Sequence, residues 1–325
     1  MKYPKDLQLS LLKEMIRIRF CEERFVDPII NGEIKCPVHL YSGQEAIAVG
    51  ICKNLNKTDY VFGCHRSHGH FLAKGGSMKE LVSEVFCREN GCSHGRGGSM
   101  HLIDPENGFL GSAPIVGGTI SLALGAALAS KIRNDKRVVI SFFGDGATGE
   151  GTLMESLNFA AIKKLPIVFV CENNFYSTHM PIKSIRVDAP IIHLAQAFNI
   201  ESVQIDGNNV LEVYELTKRL IEICRNDEGP VFIETLTYRQ RGHVGPDDNI
   251  QGQHTDIRPK EEIKNWIEKD PIMVLKKYLS ETYIDIDSEI IKIENEVSKE
   301  VDEAFNYAIN SNKPKQEELL RYVFK

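Results

Sequence analysis

Apolar residues at Leu7, Leu11, Met15, Ile18 and Phe25, with charges between them, recur at helical spacing and predict an amphipathic helix over 6–25. A second helix is expected over 44–55, and the glycine-bearing polar stretches 63–69 and 91–101 read as loops. Beyond residue 137 the period changes. Residues 138–143 and 166–171 are short unbroken apolar runs, the pattern of parallel strands buried on both faces, and 152–164 between them is helical. Residues 203–205 and 230–235 supply two further strands, separated by a helix over 209–225. This alternation predicts an α/β fold, a doubly wound parallel sheet with ligands at the carboxyl ends of its strands. From about 259 to 325 the chain turns helical and highly charged, with Trp266, Ile272, Leu275, Leu279, Ile291, Val297, Val301 and Phe305 as its spaced apolar positions. A single domain is expected, with a core over about 40–258, an N-terminal helix and a C-terminal helical extension.

One run resists this scheme. Residues 108–130 carry no charge and are long enough for a membrane span, yet they contain Pro114 and the Gly117-Gly118 pair and lead straight into a strand. The run therefore reads as a buried, closely packed helix, small residues letting backbones approach. The remaining composition narrows the partners. With 39 Lys plus Arg against 45 Asp plus Glu, the formal charge of -6 argues against nucleic acid or an anionic membrane. The eight cysteines show no C-x-x-C spacing and the N-terminus is not a signal peptide, which points to a cytoplasmic protein.

The most informative motif is also a decoy. Gly144-Asp145-Gly146-Ala147-Thr148-Gly149 fits G-x-G-x-x-G, follows a strand, opens a helix and has Glu172 at the end of the next strand, as a dinucleotide fingerprint would. Asp145, however, places a carboxylate where a pyrophosphate must approach, and two anions there repel unless a cation lies between them. Mg²⁺ wants oxygen ligands and commonly takes some from a diphosphate. Asn173 and Asn174 end the neighbouring strand, so an amide oxygen can meet Asp145 across one metal. The plain alternative is that Asp145 caps a helix and the asparagines form a turn.

G-D-G followed at this distance by N-N resembles the thiamine-diphosphate enzymes. The chain at large resembles the alpha subunit of the thiamine-diphosphate-dependent first component of 2-oxo acid dehydrogenase complexes, of the pyruvate and acetoin type. The likeness is carried by Leu40-Tyr41-Ser42-Gly43-Gln44-Glu45-Ala46, His65-Arg66-Ser67-His68-Gly69, Gly95-Arg96-Gly97-Gly98-Ser99-Met100-His101, Ile115-Val116-Gly117-Gly118, Gly144-Asp145-Gly146, Glu172-Asn173-Asn174-Phe175-Tyr176, Tyr238-Arg239, Gly242-His243 and Lys269-Asp270-Pro271. It implies a fold of the thiamine-diphosphate-binding type, with thiamine diphosphate and Mg²⁺ as cofactors. Asp145 and Asn174 would ligate the metal by side chains and Tyr176 by its carbonyl. Gly144, Gly146 and Ala147 would line the diphosphate, His65 and Arg66 would contact phosphate, and Pro114 and Val116 would hold the aminopyrimidine. His243 would be the catalytic loop histidine, contacting the diphosphate and positioning the intermediate or the acyl acceptor. His68 reads equally as functional or as a loop hydrogen-bonder, while Arg96 and His101 read as loop structure or subunit interface. The loop from His243 to Asp248 lacks the serine beside the histidine that kinases modify in some relatives, so phosphorylation there is not expected.

The family's activating glutamate sits in a pyrimidine-binding half that this chain lacks after 260. The resemblance therefore implies a separate beta subunit in an alpha2-beta2 assembly, a lipoyl acyltransferase as acyl acceptor, and a small 2-oxo acid, pyruvate first, as substrate. Acetoin dehydrogenase and the N-terminal half of a split transketolase are the rival enzymes. A nicotinamide dehydrogenase and a non-catalytic scaffold of the same fold are more distant readings.

Overall fold

The computed structural model describes residues 3–246, 249, 250, 253, 254, 256–318, 320 and 321, with 249, 250, 253 and 254 described by backbone alone. Asp247 and Asp248 of the histidine loop thus lie outside the described residues. Six parallel strands form one sheet: β1 (Tyr60–Gly63), β2 (Phe109–Ser112), β3 (Val139–Gly144), β4 (Ile167–Asn173), β5 (Glu201–Asp206) and β6 (Val231–Leu236). Their spatial order is β2-β1-β3-β4-β6-β5, so the chain moves outward from β1 to β2 and then crosses to β3 on the other side. That reversal creates a crevice at the carboxyl ends of β1 and β3.

Successive side chains on a strand face opposite sides, and both sides are apolar here. Val61, Ile140, Phe142, Val168, Val170 and Ile233 pack into one core with α1 (Lys5–Arg24), α2 (Glu45–Cys52), α4 (Met78–Val85) and α7 (Val210–Arg225). Phe62, Val139, Phe143, Phe169, Cys171 and Phe232 pack into a second core with α5 (Gly118–Arg133) and α6 (Gly151–Lys163). The short helix α3 (His68–Ala73) lies between α2 and α4 in the chain. Each fully buried Val, Ile or Phe contributes on the order of 1.5–3 kcal/mol, which is why the unbroken apolar runs become central strands.

After β6 come α8 (Lys260–Ile267), α9 (Pro271–Thr282) and α10 (Ile286–Asn310). Asp270 accepts from the amides of Ile272 (2.8 Å) and Met273 (3.0 Å), with Pro271 at the first turn, so the start of α9 is written in three consecutive residues. Val297, Val301 and Phe305 of α10 join the first core, and Lys13–Glu296 and Arg17–Glu300 ion pairs knit α10 to α1.

The charge-free run 108–130 departs from its expected form. Its first part is the strand β2, Pro114 and the Gly117-Gly118 pair break the chain, and α5 starts only at Gly118. Alongside buried Ile120, Ala123 and Ala127, α5 leaves Ser121, Leu122 and Gly125 exposed. Among the described residues no helix is long and apolar enough to cross a membrane.

Candidate active site

The crevice is a cleft of about 1010 Å³, counted out to its mouth, lined by the loops that follow β1, β2, β3, β4 and β6. Every residue implied for cofactor or metal binding lines it: His65 and Arg66 after β1, Pro114 and Val116 after β2, Gly144–Ala147 at β3, Asn174 and Tyr176 after β4, and His243. At its floor Asp145 is 1% exposed. Its Oδ1 accepts from the Gly146 amide (2.7 Å), while Oδ2 has no hydrogen-bond partner among the described residues. Burial pushes the carboxyl up to about 6, against the partial opposition of neighbouring amides and the charge of Arg239. The two asparagines divide their work. Asn173 donates to Glu234 (2.7 Å) and so points into the sheet edge, whereas Asn174 lines the cleft, donates to Gln44 (3.1 Å) and accepts from the Tyr176 amide (3.3 Å).

At the mouth, side chains from distant segments converge. Arg66 donates to the carbonyls of Leu40 (2.7 Å) and His243 (2.9 Å), and Val38 O accepts from Gly245 (2.7 Å), so segment 38–40 and the loop at 243 are drawn together. The rings of His39, His65 and His243 then lie with centroids 4.7, 5.0 and 5.5 Å apart. Burial, reinforced by the Arg66 and Arg239 guanidiniums, lowers His65 to about 3 and His243 to about 2, and burial with Arg66 depresses His39 further. These imidazoles are neutral at physiological pH. Because a guanidinium can only donate, the 3.3 Å contact of Arg66 Nη2 with His243 Nδ1 makes Nδ1 the acceptor and puts the ring proton on Nε2. A cleft with two guanidiniums, neutral histidines and an unpartnered buried carboxylate offers both an anion receptor and a cation ligand.

Other residues singled out in the sequence lie elsewhere. His68 is buried between Glu22 and Ser99 (2.8 Å), a structural role. Arg96 donates to the His94 carbonyl (3.0 Å), and His101 Nδ1 lies 3.1 Å from Gly97 O. Conversely, sequence reasoning assigned no role to His39, Gln44 or Arg239, all of which line the cleft. Gln44 and Arg239 do stand inside the motifs of the family resemblance, and His39 directly precedes one, but only the fold shows which way they face.

The sequence profile of the dehydrogenase E1 component family matches residues 13–317. This chain belongs to that family. Among its E1 relatives, the alpha subunit of acetoin:2,6-dichlorophenolindophenol oxidoreductase from Bacillus subtilis is 38% identical, over 98% of this chain and 94% of the relative. The pyruvate dehydrogenase E1 component subunit alpha of Porphyra purpurea is 36% identical (98% and 93%), and that of Rickettsia bellii 32% (98% and 96%). The chain is thus an E1 chain of the alpha type, an oxidoreductase family that acts on 2-oxo acids with thiamine diphosphate.

Proposed function

We propose that this E1 chain is the alpha subunit of a pyruvate dehydrogenase and holds the diphosphate end of thiamine diphosphate through Mg²⁺ in a site completed by a beta subunit. The observation that carries the reading is the unpartnered Oδ2 of buried Asp145 at the switch point of the sheet. A buried carboxylate without a partner is costly, and a hard cation removes that cost. Asp145, the side-chain oxygen of Asn174 and the Tyr176 carbonyl are its ligands. Gly144, Gly146 and Ala147 border the diphosphate, Arg66 and His65 face its charge, and Pro114 and Val116 border the aminopyrimidine. When bound, the cofactor supplies the carbon nucleophile and electron sink for decarboxylation. His243 is the catalytic residue of this chain: its Nε2–H donates to developing negative charge, and that charge in turn raises its affinity for a proton.

Two features support a beta partner. Among the described residues the carboxylates lining the cleft are Asp145 and Glu172, and Glu172 is held by the Tyr41 hydroxyl and His70 Nε2 (2.9 Å), leaving neither for the ring-activating role. Exposed apolar side chains before α5 (Ile115, 73% exposed, and Val116), on α5 (Leu122) and on α6 (Phe159 and Ile162) are of the kind that mark a protein interface. The assembly is alpha2-beta2, and the acyl group passes to a lipoyl group on an acyltransferase.

The test is titration calorimetry of thiamine diphosphate with and without Mg²⁺, followed by pyruvate-dependent dye reduction with the beta partner. Full decarboxylation by this chain alone would refute the shared site. Acetoin is the second reading, favoured by the Bacillus subtilis relative, and acetoin outpacing pyruvate in the same dye assay would establish it.

A further inference from the structure

Gln44 lines the cleft and is 1% exposed. Its backbone is held at the start of α2, where its N–H donates to Tyr41 O (3.1 Å) and its carbonyl accepts from the Ile47 amide (3.1 Å). The preceding Gly43, at φ +99°, presses so closely on the segment after β6 that a Cβ there would stand 2.5 Å from Tyr238 O. The side chain of Gln44 thus starts from a fixed point, as a group that orients others must.

Its own orientation follows from a donor that cannot turn. The Tyr176 backbone amide can only donate, and the side-chain oxygen that receives it is Asn174 Oδ1 (3.3 Å). The NH2 group of Asn174 therefore faces the other way and donates to Gln44 Oε1 (3.1 Å). Turning either amide over would set donor against donor. Gln44 Nε2 is what remains: buried, and without a hydrogen-bond partner among the described residues. Like Asp145 Oδ2 it is a buried polar atom left unsatisfied, but it is a donor where Asp145 offers an acceptor.

We propose that Gln44 is a positioning residue of this site: its Oε1 holds the Asn174 amide with Oδ1 turned for the metal, and its Nε2–H is the donor for an oxygen of the bound diphosphate. The proposal rests on the reading of Asp145, Asn174 and Tyr176 as Mg²⁺ ligands. A buried N–H with no acceptor is costly, and an anionic oxygen is the acceptor that satisfies it best. Without Gln44 Oε1, the Asn174 NH2 group loses its acceptor and its amide is free to present hydrogens, which a cation repels, instead of oxygen.

The test uses the full chain with its beta partner and titration calorimetry. It reads two constants: thiamine diphosphate affinity at saturating Mg²⁺, and the half-saturating Mg²⁺ concentration at saturating thiamine diphosphate. Gln44→Leu removes both contacts and should worsen both constants by about tenfold or more, the scale of a hydrogen bond to a charged group. Gln44→Glu keeps an acceptor for Asn174 but sets an anion where the donor stood. Its thiamine diphosphate affinity should fall by about tenfold or more, while its Mg²⁺ requirement does not rise. General loosening of the site would raise both constants together in either variant, so the split in Gln44→Glu is the signature of positioning. Parent-like constants in Gln44→Leu, or both constants worsening in Gln44→Glu, overturn the proposal; if the leucine variant does not fold, the glutamate variant decides alone. A parent chain that binds thiamine diphosphate with no need of Mg²⁺ would refute the metal reading itself, and this proposal with it, before any variant is compared.

Discussion

Two glycine-rich turns of this chain meet a carboxylate in opposite ways. In the loop 91–101 the Glu84 side chain accepts from the amides of Ser93 (2.8 Å), Gly95 (2.9 Å), Gly97 (2.7 Å) and Gly98 (3.0 Å), a closed nest around an anion that the chain itself supplies. Gly95 has φ +71°, and a Cβ on it would lie 2.6 Å from Arg88 O, so the nest needs glycine there. In the turn 144–149, by contrast, Asp145 Oδ1 accepts from the Gly146 amide (2.7 Å), while Oδ2 has no hydrogen-bond partner among the described residues and the group faces a cleft. Similar composition thus gives a finished structural loop in one place and an unfinished, ligand-ready one in the other. What separates them is whether the charge partner is built in or left to arrive.

The widest gap between the two should appear in ligand binding. Asp145→Ala removes the metal's anchoring charge and should weaken Mg²⁺-dependent thiamine diphosphate binding by about 3 to 5 kcal/mol, more than a hundredfold, in calorimetry, the scale of an uncompensated buried charge. Unchanged affinity would end the metal assignment. Glu84→Gln should instead leave affinity nearly intact and cost about 3 kcal/mol of folding stability, since several buried amides lose a charged acceptor. A variant as stable as the parent in urea titration would show that the nest is ornamental.

Stability should also move in the opposite sense at Asp145. Its folded carboxyl, raised to about 6, favours the protonated form, so the group's stabilising contribution is full below about pH 3.8 and is lost as pH rises through 6. At pH 7 the ligand-free chain therefore carries a penalty of about 3 kcal/mol, and Asp145→Asn should raise its melting temperature while abolishing metal-dependent binding. A lower melting temperature would contradict the burial argument.

The smallest effect concerns the histidine mouth. His65 and His243 have folded values depressed to about 3 and 2, so the unfolded chain takes up protons first, and stability falls as pH drops below about 6.5. The slope should approach about 1.4 kcal/mol per pH unit for each histidine and flatten when diphosphate binds and favours the charged ring. His243→Gln and His65→Gln should each reduce that slope in denaturation curves across pH 4–7. A slope unchanged in both would show that the rings are already charged.

Much of this was legible in one dimension. The unbroken runs that became β3, β4 and β6 could only be strands buried on both faces, and the charge of Asp145 turned a dinucleotide-like pattern toward a metal-bridged diphosphate. Strands β1 and β2 were not legible, because each is four residues long and runs beside glycine-rich loops whose signals dominate the local pattern. The 108–130 run also misled, since an uncharged stretch of small residues fits a buried helix as well as a strand, a break and a half-exposed helix.

Chemistry at single positions therefore belongs to the sequence: which residues can ligate, accept or react, and which periods must be buried. Only the tertiary structure decided which of them meet. It turned Asn173 inward to Glu234 and Asn174 into the cleft that Asp145 also lines, retired His68 to Glu22 and Ser99, and recruited His39 to the mouth through Arg66 and the Val38 carbonyl. The reason is geometric. Spacing along a strand or helix fixes a face, but a site between strand ends is set by sheet order and crossover, which no local pattern encodes.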